Sequence, residues 1–158
     1  MTILKVAQQG EKILEIVAAL ITEQELNSQW LFELSKAMLD TMIERNGVGI
    51  AAPQVFVSKR IIIVASRPNI RYPDAPEMQP IVMLNPEIIQ RSNQQILGEE
   101  GCLSVPSQRG TVARSEQVQV AYLTLQGESV VQEFTGFPAR IVQHEIDHLD
   151  GVLFVDRL

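Results

Sequence analysis

The two histidines of this 158-residue chain stand four positions apart, in the run His144-Glu145-Ile146-Asp147-His148. On a helix that spacing puts both imidazoles on one face, one turn apart. Any fold open to the chain must therefore place a helix here and give that face a partner for two ring nitrogens. A single metal ion meets the need. Glu145 then projects beside the ion, where a carboxylate can take a proton from a water molecule whose pKa the ion lowers. The competing reading is an ordinary helix that carries two histidines. It ranks behind, because these are the only histidines present and the pattern also requires the intervening Glu.

A catalytic metal site keeps three protein ligands and one open position. Only ten residues follow His148, and their carboxylates are Asp150 and Asp156. Asp150 is too close in sequence to swing round easily. Upstream lies Cys102, the only thiol, in Glu99-Glu100-Gly101-Cys102-Leu103-Ser104-Val105-Pro106. A thiolate binds iron or zinc well, whereas most free cysteines are small buried hydrophobes. A position between glycine and a Ser-Val-Pro turn favours the ligand. A third segment, Gly47-Val48-Gly49-Ile50-Ala51-Ala52-Pro53-Gln54, satisfies G-x-G-x-x-A. That dinucleotide fingerprint needs a strand before it and a helix after it. Here the order is reversed, and the cofactor reading is rejected. A plain helix-to-strand turn explains the glycines. Gln54 adds a neutral amide donor suited to a developing oxyanion.

One cysteine leaves no intrachain disulfide and suits a reducing compartment. With 46% hydrophobic and 20% charged residues the chain is neither disordered nor collagen-like. A net charge of −6 argues against a surface built for nucleic acid or anionic lipid. The most apolar early stretch, Ile13 to Ile21, is nine residues with Glu15 inside it. It is too short to span a bilayer and lacks a signal-peptide pattern.

Periodicity predicts a long helix between about Thr22 and Asn46, with Leu26, Trp30, Leu34 and Met38 at steps of four and Leu31, Met42 and Ile43 widening the stripe. Thr22 with Glu25 fits a capping box, Asn27 is a second possible start, and Asn46-Gly47 a stop. Strands are expected at Arg60–Ser66, Ile81–Asn85, around Glu87–Leu97 and at Val118–Leu125. The last is expected to pair with Ser129–Phe134 across Gln126-Gly127. Ser66–Pro80, with four of the eight prolines, reads as a surface loop. Pro138 opens a second helix that closes at Gly151, and Val152–Val155 reads as a short final strand. Strands clustered between two helices indicate an α+β fold.

Taken together and in this order, GVGIAAPQ, EGCLS and QHEIDH resemble the three signature motifs of the bacterial peptide deformylases, over essentially all of the chain from about Leu4. The resemblance implies mixed, mostly antiparallel sheets packed around a central HExxH helix, with a long N-terminal helix, in one catalytic domain over residues 1–158 that lacks a long C-terminal extension. It implies removal of the formyl group from the N-formylmethionine of new polypeptides, with release of formate. By matched motif position, Cys102, His144 and His148 would bind the metal and Glu145 would be general base and then acid. Gln54 and the Leu103 N–H would stabilise the oxyanion. Val48, Gly49 and Gly101 would present backbone groups to an extended substrate. The resemblance points to ferrous iron (Fe2+) in the cell, with Zn2+, Ni2+ or Co2+ possible in isolated protein. Partners would be formylated N-termini of nascent chains near the ribosome, without nucleic-acid or membrane binding. The location would be cytoplasmic, with a processed organellar form as the alternative.

Methionine preference is expected from an apolar pocket near Val48 and Ile141, with Phe137 a weaker candidate. Asp147 is expected to orient the helix or a ligand with Arg114 as its partner, and Arg109 to meet a peptide carboxylate or Glu100. Gly98 stands where the family often has a bulkier residue, which would widen the pocket if it flanks it. The rival readings are another small metal-dependent amide hydrolase or peptidase, and an inactive deformylase-like binding module.

Overall fold

The computed structural model describes residues 1–158. In chain order the elements are α1 (Gln29–Glu44), β1 (Gly49–Ala51), β2 (Ile61–Val64), β3 (Ile81–Arg91), β4 (Gln95–Cys102), β5 (Val105–Ser115), β6 (Gln117–Leu123), β7 (Ser129–Thr135) and α2 (Gly136–Leu149). Five strands form an antiparallel sheet in the order β1-β2-β3-β6-β7, and β4 with β5 forms a separate antiparallel ribbon. The chain is thus α+β with antiparallel sheets.

The run Ile61-Ile62-Ile63-Val64 explains the layering. All four residues are fully buried, and strand side chains alternate between faces. Ile62 and Val64 join Met83, Val120 and, from α2, Ala139, Val142 and Leu149. Ile61 and Ile63 join Ile50, Leu84 and, from α1, Leu31, Met38 and Met42. The sheet is therefore covered by one helix on each face. Each such side chain stabilises the fold by roughly 1.5–3 kcal/mol.

The first helix begins later than its periodicity predicts. The Thr22–Glu25 capping box forms, with the Thr22 N–H donating to Glu25 Oε1 at 2.9 Å, but it encloses only a 3₁₀ turn at Glu23–Glu25. Leu26 is extended and Asn27 has φ +57°, which breaks the helix. Ser28 is the cap, its Oγ accepting from the Leu31 N–H. The buried face is Leu31, Ser35, Met38, Thr41 and Met42, while Trp30 and Ile43 face solvent at 43% and 44% exposure. Asn46 (φ +58°) ends the helix, and the Gly47 N–H returns to the Met42 carbonyl at 2.9 Å.

Two further expectations are corrected, and one strand is added. The strand expected at Glu87–Leu97 is the end of β3, a turn and the start of β4. β5 went unanticipated. The final segment is a 3₁₀ turn at Phe154–Arg157, because Asp156 Oδ2 accepts from the Leu153 N–H and Phe154 is buried. The β6–β7 hairpin has its turn at Gly127 (φ +86°), and Ser66–Pro80 contains no helix or strand.

Candidate active site

Ten of the fourteen residues of α2 are buried, and they include Arg140, Gln143, His144, Glu145 and His148. Polar side chains are buried when they are paired or functional. His144 and His148 have ring centroids 5.1 Å apart. Cys102 meets them from the end of β4, where the register slips so that Gly101 faces Arg109 but Cys102 faces Val105. Ligand atoms of Cys102, His144 and His148 lie within 4.8 Å of one another, and Cys102 Sγ is 3.3 Å from His148 Nε2. The Ser104 N–H and Gln54 Nε2 approach the sulfur at 3.4 and 3.5 Å. Burial opposes a charged thiolate here. The neighbouring charges and hydrogen bonds of His148 and His144 outweigh it and hold the thiol well below its usual range.

Glu100 completes the cluster from behind. Its Oε1 faces Arg114 Nη2 and His144 Nδ1, each at 2.9 Å, and its Oε2 accepts from Arg114 Nε at 2.9 Å and Arg140 Nη1 at 2.6 Å. Burial pushes this carboxyl up, but hydrogen bonds from Arg114 and His144 and their charges hold it well below the carboxylate range. An ionised carboxylate only accepts, so His144 Nδ1 carries the proton and leaves Nε2 as the free ligand atom. Arg114 also donates to Asp147 at 2.6 Å, and Arg157 closes the far side of Asp147.

A thiolate and two imidazoles converging in a buried pocket fit a divalent metal ion. Glu145 Oε1 is buried without a hydrogen-bond partner beside them, as an atom reserved for a reacting group would be. Burial pushes the Glu145 carboxyl up to about 7, against the attraction of His144 and His148. Gln54 is held at both ends, its Oε1 accepting from the Ala51 N–H at 2.9 Å and its Nε2 donating to Ser104 Oγ at 3.1 Å.

One cavity is lined by Val48, Gly49, Gln54, Gly101, Cys102, Leu103, His144 and Glu145. It thus gathers every site residue expected from sequence except His148, which lies behind it in contact with Cys102. The cavity separates β1, paired only with β2, from β4, paired only with β5. Phe137 and Ile141 also line it. The Gly101 N–H donates to Tyr72 Oη at 3.0 Å. Two expectations change. Arg109 pairs with Glu99 at 2.6 Å and lies over the Tyr72 ring, away from Glu100. Gly98 does not widen the pocket, because the Arg140 side chain covers it. Glu100 and Arg140 were missed as site residues. The available signals were the adjacency of Glu100 to Gly101-Cys102 and the place of Arg140 one helical turn before His144.

Residues 3–158 match the family model described as polypeptide deformylase. The chain is 47% identical over 156 residues to peptide deformylase 2 of Nostoc sp., covering 99% of this chain and 86% of that protein. It is 48% identical to peptide deformylase 2 of Shewanella oneidensis, covering 98% and 83%. The Met-Ala-Ser-bound crystal structure of class I type b peptide deformylase from Acinetobacter baumannii is 65% identical with a TM-score of 0.98, covering 99% of each chain. The crystal structure of peptide deformylase from Thermotoga maritima is 33% identical with a TM-score of 0.88, covering 100% of this chain and 99% of that one.

Proposed function

This chain belongs to the polypeptide deformylase family, and from that premise we propose that residues 1–158 are one catalytic unit. It removes the formyl group from the N-formylmethionine of new polypeptides and releases formate. The observation that carries the reading is the convergence of Cys102, His144 and His148 within 4.8 Å on a cavity that also holds Glu145 and Gln54.

Cys102, His144 and His148 hold the metal, with ferrous iron as the cellular ion and Zn2+, Ni2+ or Co2+ as substitutes. A divalent ion held there would supply Lewis acidity, lowering the pKa of water and polarising a carbonyl oxygen. Glu145 takes the proton of the attacking water as its oxygen bonds to the formyl carbon. Charge collects on the former carbonyl oxygen, where Gln54 Nε2 and the Leu103 N–H donate to it. Glu145 then returns a proton to the amide nitrogen as the carbon–nitrogen bond breaks, because an amine leaves poorly without one. Formate and a free amino terminus remain. Gly49 lies in β1 with Val48 just before it, Gly101 lies in β4, and their backbone groups hold the substrate by strand addition. Val48, Phe137 and Ile141 give the methionine side chain its apolar surface.

On this reading the protein works on nascent chains near the ribosome, in the cytoplasm or, as a processed form, in an organelle. No helix of the chain is long and apolar enough to cross a membrane. The decisive experiment is formate release from formyl-Met-Ala-Ser by protein loaded with ferrous iron without oxygen, with the unformylated peptide as blank. Release proportional to enzyme is expected. None from a folded, metal-loaded protein would overturn the assignment.

A further inference from the structure

Beside the apolar residues proposed for methionine, the cavity wall carries charged side chains, among them Arg71, Glu100 and Arg140. Arg140 lines it next to Ile141 and Phe137, and its side chain is 10% exposed. A β-carbon added to Gly98 would lie 2.7 Å from Arg140 Cζ and 2.8 Å from both Nε and Nη2. Three near-equal distances mean that the flat guanidinium lies face-on against Gly98, in space that any side chain there would take. Nη1 donates to Glu100 Oε2 (2.6 Å) and to the Val112 carbonyl (2.9 Å), and Nη2 donates to the Ile96 carbonyl (2.6 Å). Of five N–H bonds, those of Nε and the second of Nη2 have no protein partner.

Glu100 and Asp147 share Arg114, and Asp147 also has Arg157. Glu100 is also paired with Arg140, at 2.6 Å. A largely buried guanidinium with two N–H bonds unpartnered is costly unless something beside it accepts them.

We infer that Arg140, seated on Gly98, is a specificity-determining residue. It adds hydrogen-bond donors to the wall beside Ile141 and Phe137, so the pocket takes a first side chain that ends in an acceptor, methionine sulfoxide as well as methionine, ahead of an alkyl chain of the same length. This rests on the deformylase reading of the same cavity. A thioether sulfur is a weak acceptor and a sulfoxide oxygen a strong one.

The test compares formyl-Met-Ala-Ser, its methionine sulfoxide analogue and its norleucine analogue within each variant. Affinities of the unformylated peptides are measured by calorimetry alongside. In the unsubstituted protein kcat/KM for the sulfoxide stays within about 3-fold of methionine, and norleucine falls about 3-fold below it. In Arg140→Leu the sulfoxide falls more than about tenfold relative to methionine, and norleucine draws level. Gly98→Ala, which must displace the guanidinium, moves both ratios the same way, and Arg140→Lys keeps most of the sulfoxide tolerance. Because each ratio is internal to one variant, a general loss of activity does not disguise the result. Ratios that stay flat across all three variants overturn the proposal. Affinity ratios that respond to Arg140 in a protein without turnover overturn the deformylase reading and leave this one standing.

Discussion

Gly49 stands so close to Glu145 that a β-carbon on it would lie 2.6 Å from Glu145 Oε2 and 2.7 Å from Ile141 Cγ2. Strand β1 and helix α2 meet through that missing side chain. Gly49→Ala must displace the carboxylate or the helix face, while Cys102, His144 and His148 keep their own supports. The ion is expected to stay bound and kcat to fall about 10²-fold, the scale of a misplacement near 1 Å. Metal content and formate release on one sample check this, and a wild-type kcat would show that the contact is not critical.

Glu145→Gln preserves shape and removes the proton acceptor. Retained metal and a loss of about 10²–10⁴ in turnover are expected. Near-normal turnover with metal bound would remove Glu145 from its assigned role.

Gln54→Ala should be read with two instruments. Loss of the Nε2 donor is expected to lower kcat by about 10²–10³. Loss of Oε1 leaves the buried Ala51 N–H without its acceptor, at a cost of about 1–3 kcal/mol in urea unfolding. A normal kcat in the destabilised protein would assign Gln54 to the fold alone.

Chelation should abolish turnover and lower Tm, and added Fe2+ or Zn2+ should restore both. An ion held at 100 times its Kd contributes about 2.7 kcal/mol to stability. Cys102→Ala should lose metal stoichiometry. Full metal retention by that variant would point to a different ligand set and a different class of hydrolase.

Arg114→Leu leaves Glu100 and Asp147 without their shared cation in a buried setting. Arg140 stays on Glu100 and Arg157 on Asp147, so a loss of about 1–3 kcal/mol is expected by denaturant titration, the cost of acceptors left unsatisfied. A loss under about 1 kcal/mol would class the pair with surface ion pairs.

The reach of the sequence can be judged residue by residue. His144 and His148 were legible because helical spacing is geometric, and α1 and β2 because their apolar periods are strong. The start of α1 was not, since Thr22–Glu25 forms the same capping hydrogen bonds around a 3₁₀ turn as around a helix, and only the φ of Asn27 decides between them. β5 was missed because Pro106 to Arg109 are all exposed and carry no alternation. Glu100 was weighed only as a partner for Arg109 and Arg140 was not singled out, because their mutual contact spans 40 positions.

The two unpaired edges, β1 and β4, face each other across the cavity. Exposed edges usually invite sheet-to-sheet aggregation. Here, on the proposed reading, the strand that pairs with them is the end of another chain. A terminus already tucked into a helix or a finished sheet cannot enter. Processing is thereby placed in a race against the client's own folding, and proteins whose first residues are buried early have the shortest time in which to lose their formyl group.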